Sequence, residues 1–172
     1  MSPRRWNPRE LRMTADYLRE KHPEATHVLR ARLGPLPPQA TRLQEEGISS
    51  RLYYPALHWA DGLALYPDRT VLLEVKIKLD TRALGQILAN MDLFRRTSEY
   101  HDRWGLPLVG EVVYAFPDRE TIRLLDRQGI RHVEYCPDYI REYYLERIRT
   151  TYEGPRSRPR GLWDELVEEV SK

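Results

Sequence analysis

Two apolar runs, Leu63-Ala64-Leu65 and Val71-Leu72-Leu73, stand on either side of Pro67-Asp68. Apolar runs around a Pro-Asp turn signal fold as a β-hairpin. Side chains alternate faces along a strand, so Leu72, Glu74, Lys76 and Lys78 share one face, and Val71, Leu73, Val75 and Ile77 the other. With Pro67-Asp68 as the turn, Tyr66 pairs with Arg69 and the register sets Asp61 opposite Glu74. Directly opposed residues have Cβ atoms about 5 Å apart. Pro67 suits a type I turn better than the primed turns usual in two-residue hairpins. A four-residue loop would set Asp61 opposite Lys76 on the same face, and a bulge or an odd loop would break the alignment.

Two carboxylates opposed on a sheet repel unless something compensates them. Lys76 offsets part of that repulsion, and a bound cation would offset more. Carboxylate oxygens suit hard ions such as Mg²⁺ or Mn²⁺, which keep several of their waters. Such an ion beside a lysine suits hydrolysis of a phosphodiester, with Lys76 orienting or activating the attacking water or touching the phosphate. The plain alternative is a solvated hairpin face carrying an ordinary Glu–Lys pair of little energetic weight.

Asp61, then Glu74-x-Lys76, then a helix carrying Gln86, resembles the PD-(D/E)xK nuclease superfamily, the fold of many restriction enzymes, Holliday junction resolvases and recombination exonucleases. In order of elements the resemblance runs over residues 8 to 136, and its specific part is 58 to 90. It implies that Asp61 and Glu74 are metal ligands, that Lys76 is the catalytic lysine, and that Gln86 is the helix glutamine found beside the site in several branches. It also implies a first-helix acid in the metal shell, for which Glu10 is the candidate, with Asp16 and Glu20 further along the same helix. Ala60 stands where the superfamily's naming proline would precede Asp61. Ala89, Asn90 and Met91 stand where an exonuclease-type signature would carry a tyrosine, which points away from an exonuclease.

The rest of the chain reads as one mixed α/β domain over 1–152, followed by a basic linker and an amphipathic helix over 153–172. Pro8 to Lys21 is a helix, Thr26 to Leu33 a strand, and Arg51 to Tyr54 a short strand before the hairpin. Asp80 is placed to N-cap a helix from Thr81 to about Tyr100. Leu108 to Phe116 is a strand, Arg119 to Gln128 a helix, Arg131 to Tyr135 a strand, and Asp138 to Thr151 a helix. Strands and helices in this order give a restriction-endonuclease-like fold, a central mixed β-sheet flanked by helices. Arg82, Gln86 and Asn90 form a polar stripe on the helix after the hairpin. For Arg82 and Asn90 a solvated helix edge is the simpler reading.

The net charge of +2 does not by itself indicate nucleic acid, but its distribution is uneven. Residues 147–160 hold five arginines against Glu153 alone, and arginine outnumbers lysine 24 to 4. Arginine is the better fork for phosphate oxygens. Arg82, Arg147, Arg149 and Arg156 are therefore candidate DNA contacts, with Tyr139, Tyr143 and Tyr144 interleaved among the basic residues. A coding bias explains the arginine excess equally well. The single Cys136 excludes a disulfide framework and a thiolate zinc site. Arginines interrupt every window of membrane length, so a soluble intracellular protein is expected, with no membrane partner.

The expected activity is a Mg²⁺- or Mn²⁺-dependent deoxyribonuclease, an endonuclease, with junction or branched DNA as a possible substrate. A binding or assembly protein that kept the fold without the chemistry is the alternative. The terminal stripe Leu162, Trp163, Leu166, Val167 and Val170 suits docking to a second copy or to a partner protein. A dimer would fit branched-DNA cleavage, which needs two sites.

Overall fold

The computed structural model describes residues 7–35 and 58–152, together with 38, 39, 42 and 46. The chain divides into two compact units, Met1–Ile140 and Arg141–Lys172. In the first, α1 (Pro8–Lys21) leads to β1 (Thr26–Leu33), and the hairpin strands β2 (His58–Leu65) and β3 (Thr70–Lys78) follow. Then come α2 (Arg82–Phe94), a 3₁₀ helix (Ser98–Arg103), β4 (Leu108–Phe116), α3 (Arg119–Arg127) and β5 (Arg131–Glu134). Helix α4 (Asp138–Tyr152) begins in the first unit and ends in the second. The short strand expected over Arg51–Tyr54, the linker and the terminal helix lie outside the described residues. No helix among the described residues is long and apolar enough to cross a membrane.

The five strands form one mixed sheet in the order β1-β2-β3-β4-β5. The first two ladders are antiparallel and the last two parallel. This is an α/β architecture, a mixed sheet with α1 on one face and α2 on the other. Its two faces follow from the period of the strands. Val71, Leu73, Val75 and Ile77 meet Met13, Tyr17 and Leu18 of α1, with Val113, Ala115 and Ile140. Leu72 meets Ile87 and Phe94 of α2, with Val112, Tyr114 and Leu125. Burying each such side chain stabilises the fold by roughly 1.5–3 kcal/mol before entropy is counted.

Local chemistry sets the helix ends. Asn7 caps α1 by accepting from Arg9 N at 3.1 Å, with Pro8 in the first turn. The helix after the hairpin is shorter than its periodicity predicts. It ends at Phe94 because Thr97 is extended, and its hydroxyl accepts from Gly34 N and donates to Leu93 O, both at 2.8 Å. Thr81, not Asp80, is the N-cap, although Asp80 Oδ1 still accepts from Arg82 N at 3.0 Å.

Both flanking helices rest on glycines. A Cβ at Gly62 would come within 2.9 Å of Thr14 Cγ2 in α1. One at Gly110 would come within 2.5 Å of Met91 Sδ in α2. The absent side chains let each helix lie close on the sheet.

Candidate active site

The β2–β3 ladder runs from Leu65↔Thr70 to Gly62↔Leu73, and Tyr66 N donates to Arg69 O across the Pro67-Asp68 turn at 2.9 Å. Extending that register sets Asp61 opposite Glu74. Main-chain pairing stops there, and a side chain takes its place: Asp61 Oδ2 accepts from Val75 N at 2.8 Å. On its other flank β2 pairs with β1 at Leu29↔Gly62 and Ala31↔Ala60, passing over Arg30 and Asp61. Arg30 has φ 54°, in the left-handed region, which costs a non-glycine residue about 1 kcal/mol. Asp61 thus sits where both of its ladders are interrupted.

Glu74 lies on the α2 face of β3 and is 3% exposed. Its Oε1 is 2.7 Å from Lys76 Nζ, and the Lys76 side chain is 16% exposed. On the edge of β3 where β2 has left the ladder, Glu10 Oε1 accepts from Ile77 N at 3.5 Å. The first helix therefore brings its carboxylate to the N–H two residues beyond the one taken by Asp61. Successive odd-numbered amides of a strand point to the same edge. The hairpin brings Asp61, Glu74 and Lys76 together, and α1 brings Glu10 alongside.

Gln86 is half-buried in α2, while the helix residue that meets Glu74 is Asn90. Its Nδ2 is 3.4 Å from Glu74 Oε2 and 3.5 Å from Trp59 O, and the residue is 4% exposed. This corrects the expectation of a solvated helix edge at Asn90. The signal was present in the spacing, because Asn90 follows Ile87 by three and precedes Phe94 by four, in phase with the buried face. Arg82 is exposed and its Nη2 lies 2.5 Å from Asp80 Oδ2. That hydrogen bond holds the Asp80 carboxyl below its ordinary pKa. Arg147 is exposed in α4, Arg149 belongs to the same helix, and Arg156 lies outside the described residues.

Among the described residues no three His, Cys, Asp or Glu side chains are grouped closely enough to hold a metal ion. Asp61 and Glu74 instead stand on the two arms of the hairpin just past the end of the β2–β3 ladder. That fits an ion such as Mg²⁺, which is commonly held by one or two carboxylates with water and phosphate oxygens filling the rest of its shell.

No family model and no curated protein matches the chain. Among solved structures, a repair endonuclease from Pyrococcus abyssi is similar, with a TM-score of 0.47 and 16% sequence identity. The match covers 80% of this chain and 50% of that one, so the chain spans half the length of that protein.

Proposed function

We propose that the chain is a metal-dependent DNA endonuclease of the PD-(D/E)xK type, with junction or branched DNA among the substrates to be tested. The observation that supports it best is the interrupted ladder at Asp61. A regular hairpin would pair backbone with backbone there, whereas here an acid is held on the Val75 amide opposite Glu74 and Lys76. Asp61 and Glu74 are the residues that would hold Mg²⁺ or Mn²⁺, while Glu10 is held aside on Ile77 N. When bound, the ion would supply an activated water and neutralise charge on the phosphate.

The chain's own residues do the positioning. Val75 N fixes the Asp61 carboxylate, and α1 fixes the depth of Glu10. Lys76, anchored on Glu74 Oε1, places its amine beside the acids, where it orients the attacking water or a phosphate oxygen. Gln86, one turn before Asn90, adds a polar group on the same side of α2. Arg82, Arg147, Arg149 and Arg156 are proposed phosphate contacts, which carry affinity rather than sequence selectivity. Pairing of two copies, through the terminal helix, would present two such sites to a branched substrate.

Cleavage of supercoiled plasmid and of branched DNA, with Mg²⁺, Mn²⁺ or EDTA, tests this reading against Glu74→Ala and Lys76→Ala. Metal-dependent cutting lost in both variants is the expected result. A folded wild type that binds DNA in EDTA and cuts none under any metal would replace the enzyme with a binding module built on the same fold.

A further inference from the structure

Past the pair Gly62↔Leu73 the β2–β3 ladder ends, and the two arms of the hairpin are held by side chains. One is Asp61, reaching Val75 N from the β2 arm. The other comes from outside the hairpin. Asn90 Nδ2 lies within reach of Trp59 O on the β2 arm, at 3.5 Å, and of Glu74 Oε2 on the β3 arm, at 3.4 Å. A primary amide has two hydrogens on one nitrogen, so a single side chain can serve both acceptors. Trp59 is two residues before Asp61, and its carbonyl and the Glu74 carboxylate stand on opposite sides of the fork.

We infer that Asn90 is a positioning residue, a clamp from α2 that spans the forked hairpin and sets the separation of the Asp61 and Glu74 carboxylates. This rests on the metallonuclease reading only for its consequence, since the clamp itself is a contact of the protein with itself. A buried amide is costly to desolvate without partners, and these two acceptors provide them. Its neighbours on α2, Ile87 and Phe94, are buried in the core, so the amide cannot turn to water without moving the helix. Groups that orient metal-binding carboxylates typically change metal affinity by 10–100-fold when removed.

The test uses the full chain and Mn²⁺, with free ion read by its paramagnetic resonance signal. Asn90→Leu keeps the branched shape at a larger volume and donates no hydrogen, while Asn90→Ser keeps one donor. Asn90→Leu is expected to weaken Mn²⁺ binding by roughly 10–100-fold and to lower kcat with KM for DNA unchanged, because the residue is buried and does not touch DNA. Asn90→Ser should recover part of the loss. A folded Asn90→Leu protein with wild-type Mn²⁺ affinity and kcat overturns the clamp. If the wild type itself binds no Mn²⁺, the nuclease reading fails and the clamp is judged without metal. In that case Asn90→Leu and Glu74→Gln should change Tm non-additively. Additive changes overturn it.

Discussion

Two buried glutamates on neighbouring strands have opposite surroundings. Glu111 in β4 is fully buried on the α1 face, where donors converge on it. Tyr17 Oη donates at 2.7 Å, His22 Nε2 lies at 3.2 Å, and Arg131 Nε approaches the second oxygen at 2.7 Å. Burial alone would raise its pKa, but the His22 and Tyr17 hydrogen bonds and the Arg131 charge hold it below the ordinary 4.5. The same network pushes the Tyr17 hydroxyl well up, through burial first and the Glu111 bond second. Glu74 in β3 faces the other way and meets Lys76 and Asn90 beside a broken ladder. One carboxylate is enclosed by the fold, and the other is placed at an edge where the strands part. Two similarly buried acids therefore differ in what surrounds them and in whether the backbone beside them is paired.

That contrast can be broken by exchange. Glu74→Gln should lower kcat by roughly 10³-fold or more, on the scale of losing a group that acts in the transition state, with a smaller loss of Tm than Glu111→Gln. Glu111→Gln should do the reverse, keeping activity per folded molecule within a few-fold and costing about 3 kcal/mol in denaturant unfolding. If Glu111→Gln instead abolished cleavage at unchanged stability, the division of roles would be wrong. Gly62→Ala should cost about 1–3 kcal/mol by denaturant unfolding, since a methyl there meets Thr14 and Leu18 of α1. Tyr17→Phe, which removes one donor from Glu111, should cost about 1 kcal/mol by thermal melts.

The smallest expected effect is on pH. Because the folded pKa of Glu111 is depressed, its stabilisation is complete above the ordinary value of 4.5 and is lost as pH falls through the lower folded value. Melting curves taken across that acid window should fall in the wild type. They should fall less in Glu111→Gln.

What could be read in the sequence was local. The turn at Pro67-Asp68 and the period of β3 were enough to give the hairpin register as far as Gly62↔Leu73, because both depend on neighbours a few residues away. The extents of α1, β1 and β4 came from the same kind of pattern. Asn90 is polar and so reads as facing water, but its helical phase sets it among Ile87 and Phe94. The role of Glu111 was not visible at all. It stands in the run Leu108 to Phe116, and its Tyr17 partner is 94 residues away. Nothing near Arg30 in the chain announces its positive φ either, since it arises where the β1–β2 ladder skips the Arg30–Asp61 step.

The Tyr17–Glu111 bond also has a consequence for the order of folding. Synthesis delivers α1 first, yet the acid that anchors its buried tyrosine is made more than ninety residues later, and Arg131 later still. Contacts of such separation must overcome the entropy of closing a long loop before they return any stability. The helix that carries Glu10 can therefore settle on the hairpin strands through Met13 and Leu18 early, while the buried hydroxyl of Tyr17 waits for β4 to bring its acceptor, so a nascent chain halted before β4 would hold α1 in place without its deepest polar anchor.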